Sequence, residues 1–303
     1  MEATTTTSND NVQKKDVYAI VTEKIIEQLE NGTVPWHVPW HSAGIPCNLI
    51  SRRPYRGMNL MLLACHGYEQ NFFLTFAQLK ELGGKVKKDE RGHIVVFWKR
   101  PEKSEGEGTD DEKEKKPILR YYIVFNISQC ESIPEDKLPS TPYRIPASIS
   151  TCENIVSNMP KRPIVKFKEH RAYYDPLKDF INMPKQKSFE SDEAYYSTLF
   201  HELVHSTGHH SRLDRKDLLQ MAEFGSEAYS HEELVAEIAT CYLQSYTGIT
   251  SQFEQSAAYI QGWLWKLKND KRFILSASTH AQKASDYILN VQSESDEETP
   301  KED

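Results

Sequence analysis

Apolar residues recur at helical spacing from the start of the ordered-looking chain. Val17, Ile20, Val21, Ile25 and Leu29 follow Asp16, a suitable N-cap, and Asn31-Gly32 supplies a stop, so an amphipathic helix is predicted here. The next segment, P-W-H-V-P-W at 35–40, reads as an extended arm, because each proline restricts its predecessor and cannot sit inside a helix. Residues 92–100 (GHIVVFWKR) and 118–130 (ILRYYIVFNISQC) are β-branched and aromatic runs of strand length. The stretch between them, 101–117, is too charged to bury anything, which predicts a hairpin with a disordered tip. A proline-rich stretch from Pro134 to Pro146 marks a domain boundary. Beyond it come two short β-like runs, Ile164 to Phe167 and Asp179 to Met183. Three helices follow: one from the Ser191 N-cap to Gly208, with Asp192 and Glu193 suiting the dipole, one from Ser230 to about Gln244, and one from about Gln252 to Leu267. The pattern gives an α+β fold without internal repeats.

Composition narrows the class. With 303 residues, 38% hydrophobic and 27% charged, and a mean hydropathy of -0.64, the chain reads as globular with about two domains. Its longest wholly apolar run, Leu60 to Cys65, is far short of the roughly 20 residues a membrane helix needs, so no membrane partner is expected. MEATTTTSNDNVQKK lacks both the basic and the apolar region of a secretory signal, and the cytoplasm is the expected location. Cys47, Cys65, Cys130, Cys152 and Cys241 form an odd set without C-x-x-C spacing, which points to reduced thiols. The net charge of -7 is uneven: residues 51–100 hold ten Lys and Arg against four Asp and Glu, a local balance of +6. By itself that is a solvated face.

One motif carries chemistry. His201-Glu202-Leu203-Val204-His205 matches H-E-x-x-H, and on a helix two histidines four apart share a face and can bind one Zn²⁺. Glu202 then stands beside that face as a general base, taking a proton from an attacking water and passing it to a leaving amine. A catalytic zinc needs a third protein ligand. In SHEELVAEIATCYL, Glu233 is placed to supply it and Glu237 to orient a ligating imidazole, although the two could be exchanged and Ser230-x-x-Glu233 is also a capping box. The ligand set suits other divalent ions as well. A metzincin frame fails by one residue, since Gly208 is in place but Ser211 stands where the third histidine belongs. His209 and His210 then read as a turn after the helix, and Tyr173, Tyr174 and Arg212 are candidates to steady an oxyanion.

The first half interleaves aromatic and basic residues in the manner of a single-strand binder, where bases stack on rings and cations follow phosphates. Trp36, Trp40, Arg52, Arg53, Tyr55, Arg56, Asn59, Lys85, Lys87 and Lys88 are the candidate DNA contacts, with core packing the alternative for the rings. Taken in order, P-W-x-x-P-W, Y-R-G-M-N, T-F-A-Q, G-G-K-V-K-K, HELVHSTGH and EELVAEIA resemble the ArdC anti-restriction proteins of conjugative plasmids and related mobile elements, over nearly the whole chain. The resemblance implies a single-stranded-DNA-binding domain followed by a zincin-like metallopeptidase domain, a glutamate as third ligand, and a role in protecting incoming mobile-element DNA from host restriction. A protein substrate or a restriction enzyme is then the expected protein partner. The acidic insert at 101–117 departs from the family pattern. The expected organisation is a disordered N-terminus at 1–15, the DNA-binding domain at 16–135, the metallopeptidase domain at 147–290 and an acidic disordered tail at 291–303. A binder whose metal site is only structural is the competing expectation.

Overall fold

The computed structural model describes residues 16–37, 44–99, 117–139, 147–216, 218, 227–250 and 257–291. The disorder expected at both termini and in the acidic insert, and the position of Trp40, lie outside these residues. Helix α1 (Val17–Glu30) starts at Asp16, whose side chain accepts from Tyr18 N, and buries Val21, Ile25 and Leu29 as its spacing predicts. The proline arm differs from its reading as extended chain. Pro35–His37 form a 3₁₀ turn and Trp36 is fully buried.

A four-stranded sheet follows, in the order β1 (Cys47–Asn48), β2 (Phe72–Thr75), β5 (Ile118–Asn126), β4 (His93–Lys99). The hairpin is present as antiparallel β4 and β5, registered from His93 opposite Val124 to Lys99 opposite Ile118. Its second strand ends four residues early, because Asn126 caps a 3₁₀ turn at Ile127–Gln129. Helix α2 (Met58–Ala64) and helix α3 (Phe76–Glu81), capped by a Thr75–Gln78 box, escape the periodicity reading. Two-residue strands β3 (Lys85–Val86) and β6 (Cys130–Glu131) pair beside them.

The second half opens with α4 (Ile149–Asn158), another helix not anticipated, capped by Ser148. A three-stranded sheet comes next, in the order β7 (Ile164–Lys166), β9 (Phe180–Asn182), β8 (Tyr173–Asp175), with β7 parallel and β8 antiparallel to β9. Val165, Ile181 and Tyr174 lie opposite one another in register, and all three join the core on the side of helix α5 (Asp192–Thr207). As expected, Ser191 caps α5, accepting from Ala194 N at 3.1 Å, and Gly208 ends it. Helices α6 (Glu227–Thr247), α7 (Ala257–Asn269) and α8 (Phe273–Leu289) complete the bundle. No described helix is long and apolar enough to cross a membrane.

The fold is a two-domain α+β architecture whose halves share one core. Val21, Trp36 and Met61 from the first half pack in the same cluster as Leu203, Tyr242 and Ile274 from the second. Polar links cross the same seam. Arg56 pairs with Asp286 at 2.5 Å, Gly57 N donates to the Gln282 side chain at 2.8 Å, and the Tyr242 hydroxyl donates to Gly57 O at 2.8 Å.

Candidate metal centre

Helix α5 carries His201 and His205 one turn apart, and their Nε2 atoms converge to 3.1 Å. From α6, Glu233 reaches the same point: its Oε2 lies 3.5 Å from His201 Nε2 and its Oε1 lies 3.7 Å from His205 Nε2. One ligand atom from each of the three falls within 4.8 Å of the others, a grouping a single ion can share. Because α6 begins at Glu227, Ser230 lies inside the helix, and the capping-box alternative for Glu233 falls away. Glu202 is 8% exposed on the same helix as the histidines.

The residue behind this cluster is Glu232, not Glu237. Glu232 is wholly buried, and its Oε1 sits 3.3 Å from His205 Nδ1, so the imidazole is held from its rear while Nε2 faces the cluster. Its other partner is Arg215, which donates from Nε at 2.9 Å and from Nη2 at 2.5 Å. Arg215 in turn donates to Val204 O and to Thr207 Oγ1, fastening the end of α5 to α6. A Cβ on Gly208 would lie 3.1 Å from Arg215 Nη2, so glycine at the helix end leaves the guanidinium its place. Burial raises the Glu232 carboxyl, yet the charge and hydrogen bonds of Arg215 outweigh it and hold the group well below the usual carboxylate range.

The donor set and its electrostatics fit a divalent cation. Burial works against a charged imidazole at His205, but the Glu232 hydrogen bond and the charges of Glu233, Glu232 and Glu202 overcome it and hold the pKa up to about 9. Glu233 is half-buried, and His201 and His205 outweigh that desolvation and hold its carboxyl below the usual range. Carboxylates crowded around two imidazoles draw positive charge, and two nitrogens with one oxygen suit zinc, manganese and similar ions.

Glu237 faces elsewhere. Its Oε2 accepts from Trp36 Nε1 at 3.4 Å and lies 3.7 Å from His37 Nε2, so it ties the proline arm to α6. Trp36 packs edge-on against Trp263 at 5.3 Å and leaves the set of candidate stacking rings for the core. His209 and His210 stack on each other in the turn after α5. Tyr174 and Arg212 bond to each other and to Asp179, with Arg212 also donating to Ser206 O; they brace the small sheet against the helix end. Tyr173 is engaged with Glu169.

Of the remaining candidate DNA contacts, several are committed to the scaffold. Both side-chain groups of Asn59 are bonded to the backbone of Val96, and Arg56 belongs to the seam described above. Arg52 lies over the Phe72 ring and donates to Lys137 O, and Tyr55 meets Phe73 edge-on. Lys87 donates to Ser128 O yet stays exposed, as do Arg52, Arg53, Lys85 and Lys88. These cations all belong to the first half of the chain. Glu232 and Arg215 are the residues the motif reading missed. A buried glutamate requires a cation, but nothing in sequence selects Arg215 from the other basic residues.

Comparisons with known proteins divide the chain in the same order. Residues 15–125 match the N-terminal domain of anti-restriction factor ArdC, and residues 152–280 match a zincin-like metallopeptidase domain. The crystal structure of the antirestriction protein ArdC from the R388 plasmid in its Mn(II)-bound form is 38% identical, with a TM-score of 0.73 over 91% of this chain and 97% of that one. Its metal-free form gives 36% and 0.71. An uncharacterized protein from Sinorhizobium fredii, y4eC, is 33% identical over 92% of this chain and 93% of its own length. DNA primase TraC of Escherichia coli is likewise 33% identical over 91% of this chain, which spans 27% of that protein.

Proposed function

The chain belongs to the ArdC anti-restriction family, and from that premise we propose that it binds single-stranded DNA through its first half and hydrolyses a peptide bond at a zinc site in its second, protecting incoming mobile-element DNA from host restriction. The observation that carries the catalytic part is the convergence of His201, His205 and Glu233 beside Glu202. In this reading the three ligands hold the ion, and Glu232 fixes the tautomer and orientation of His205. When bound, a divalent ion supplies Lewis acidity to a scissile carbonyl. Glu202 accepts a proton from the attacking water and delivers it to the leaving amine. Arg52, Arg53, Lys85, Lys87 and Lys88 supply the charge for phosphate in the first half. A restriction enzyme or another protein met on DNA is the substrate.

Glu202→Gln tests the reading. The variant is expected to keep its fold, its metal content and its affinity for an oligothymidylate, and to lose protection of transferred DNA in a restricting host. Protection equal to wild type would make the chemistry dispensable and leave a binder with a structural metal.

A further inference from the structure

The second half of the chain is acidic as a whole, yet residues 161–187 hold eight Lys and Arg against three Asp and Glu. The three acids are already engaged. Asp179 pairs with Arg212, Glu169 with Arg171, and Asp175 accepts from the backbone of Leu177 and Lys178. Lys168, Lys178, Lys185 and Lys187 are exposed, with no acidic partner among the described residues.

The sheet places this charge along one line. Ile164 pairs with Phe180 and Lys166 with Asn182, so Arg162 and Lys178 come to one end of the parallel β7–β9 pair, and Lys168 lies at the other, where the chain leaves β9 for Lys185 and Lys187. Beside β7 a pocket of about 540 Å³ opens, lined by Phe167, Tyr195, Tyr196, Arg162, Gln186 and Glu153. Tyr196 lies on the side of α5 opposite His201 and His205, both tyrosines sit more than a helical turn before His201, and none of His201, His205 and Glu233 lines the pocket, so it is separate from the metal centre. Its mouth carries an exposed ring, Phe167 at 51%.

We propose that this surface of the zincin-like domain is a second site for single-stranded nucleic acid, with the lysines following the phosphates and an unstacked base entering the aromatic pocket, where Gln186 and Glu153 meet its polar edge. The volume suits a base with its sugar, and aromatic rings bordered by cations are the general solution for single strands. A peptide adding to the β7 edge is disfavoured by that strand itself: it is three residues long, follows Pro163 and carries Lys166, the features that block strand addition. The site does not depend on where the first half binds DNA.

Titration of the full chain with a fluorescein-labelled oligothymidylate across a salt series tests it. The combined variant Lys168→Ala, Lys178→Ala, Lys185→Ala, Lys187→Ala is expected to bind at least about tenfold more weakly, with a slope of log K against log salt reduced by roughly 0.7 for each phosphate no longer neutralised. Phe167→Ala is expected to weaken binding roughly five- to hundredfold. A bromodeoxyuridine oligomer should crosslink to Phe167, Tyr195 or Tyr196. Thermal melting and metal content of the variants should match wild type. If the lysine variant keeps wild-type affinity and slope while Arg52→Ala with Arg53→Ala loses them, the second site is overturned and the first-half reading stands; the opposite pattern overturns the first-half reading alone. Binding of labelled oligoglutamate to the wild type in place of the oligothymidylate would overturn the site in favour of an acidic protein partner.

Discussion

Glu232 and Glu233 are sequence neighbours that address opposite nitrogens of one imidazole, Nδ1 and Nε2 of His205. Their order follows from rotation about α6: a step of one residue turns about 100°, so one carboxylate reaches the ligand atoms and the other passes behind. Glu232→Gln is therefore expected to weaken metal affinity about 10- to 100-fold, read by competition with a chelating dye. Breaking its buried pair with Arg215 should also cost about 3–5 kcal/mol in denaturant unfolding, because a charged guanidinium is left without its partner. The convergence of His201 and His205 is legible in the sequence, since four-residue spacing on a helix fixes their common face. The role of Glu232 is not, because adjacent glutamates cannot be assigned to faces without the phase of the helix. A second residue-scale effect concerns His66 and His93, whose rings stack at 3.8 Å. Burial and then the charge of the neighbouring imidazole lower His66 from 6.5 to about 4, and burial with Lys24 lowers His93 to about 4. Between these values the unfolded chain binds more protons than the folded one, so stability is full above about 6.5 and falls as pH drops toward 4. Denaturation midpoints on either side of this window should differ less in a His66→Asn, His93→Gln variant than in wild type.

At the scale of elements, what could be read depended on a two-faced helix or a long β-branched run. Helix α1 keeps its buried positions on one face, β4 is a β-branched run that buries Ile94, Val95 and Val96 in succession, and the sequence predicts α1 and the β4–β5 hairpin close to their observed bounds. It does not predict helix α2. Six of its seven residues are buried, so it has no polar stripe to set a period. Its start depends instead on Gly57, which has φ +53° and ψ -133° and is gripped at both N and O by α8 and α6. Gly57→Ala forces a side chain into backbone space that favours glycine, and a loss of about 1–3 kcal/mol is expected from equilibrium unfolding. The small sheet was read only as fragments, because strands of three residues carry too short a pattern to fix their pairing. Its register is what brings the cations of 161–187 into line.

For the whole molecule, composition led to two domains, and the structure adds that their apolar sides are one continuous cluster. Trp36 is the plainest member, a residue of the first half packed on Trp263 and bonded to Glu237 of the second. Trp36→Ala is expected to cost about 3–5 kcal/mol, leaving a cavity and a buried carboxylate without one of its donors. Calorimetry should show one cooperative transition for both halves, displaced to lower temperature as a unit. Two separate transitions would mean that the shared cluster does not couple them. The role of the tryptophan was ambiguous in sequence because an aromatic beside prolines suits a stacking arm or a staple equally well, and only the partner across the seam distinguishes them.

That seam also bears on inheritance. A recombination event or a protease that divides the chain near the proline-rich link would bare, on each product, the oily side the other had covered. The result would be two sticky fragments in place of two working modules. The piece that can pass between genes and still fold is thus the joined pair, and domain swaps within the family should succeed only when both sides of the seam travel together.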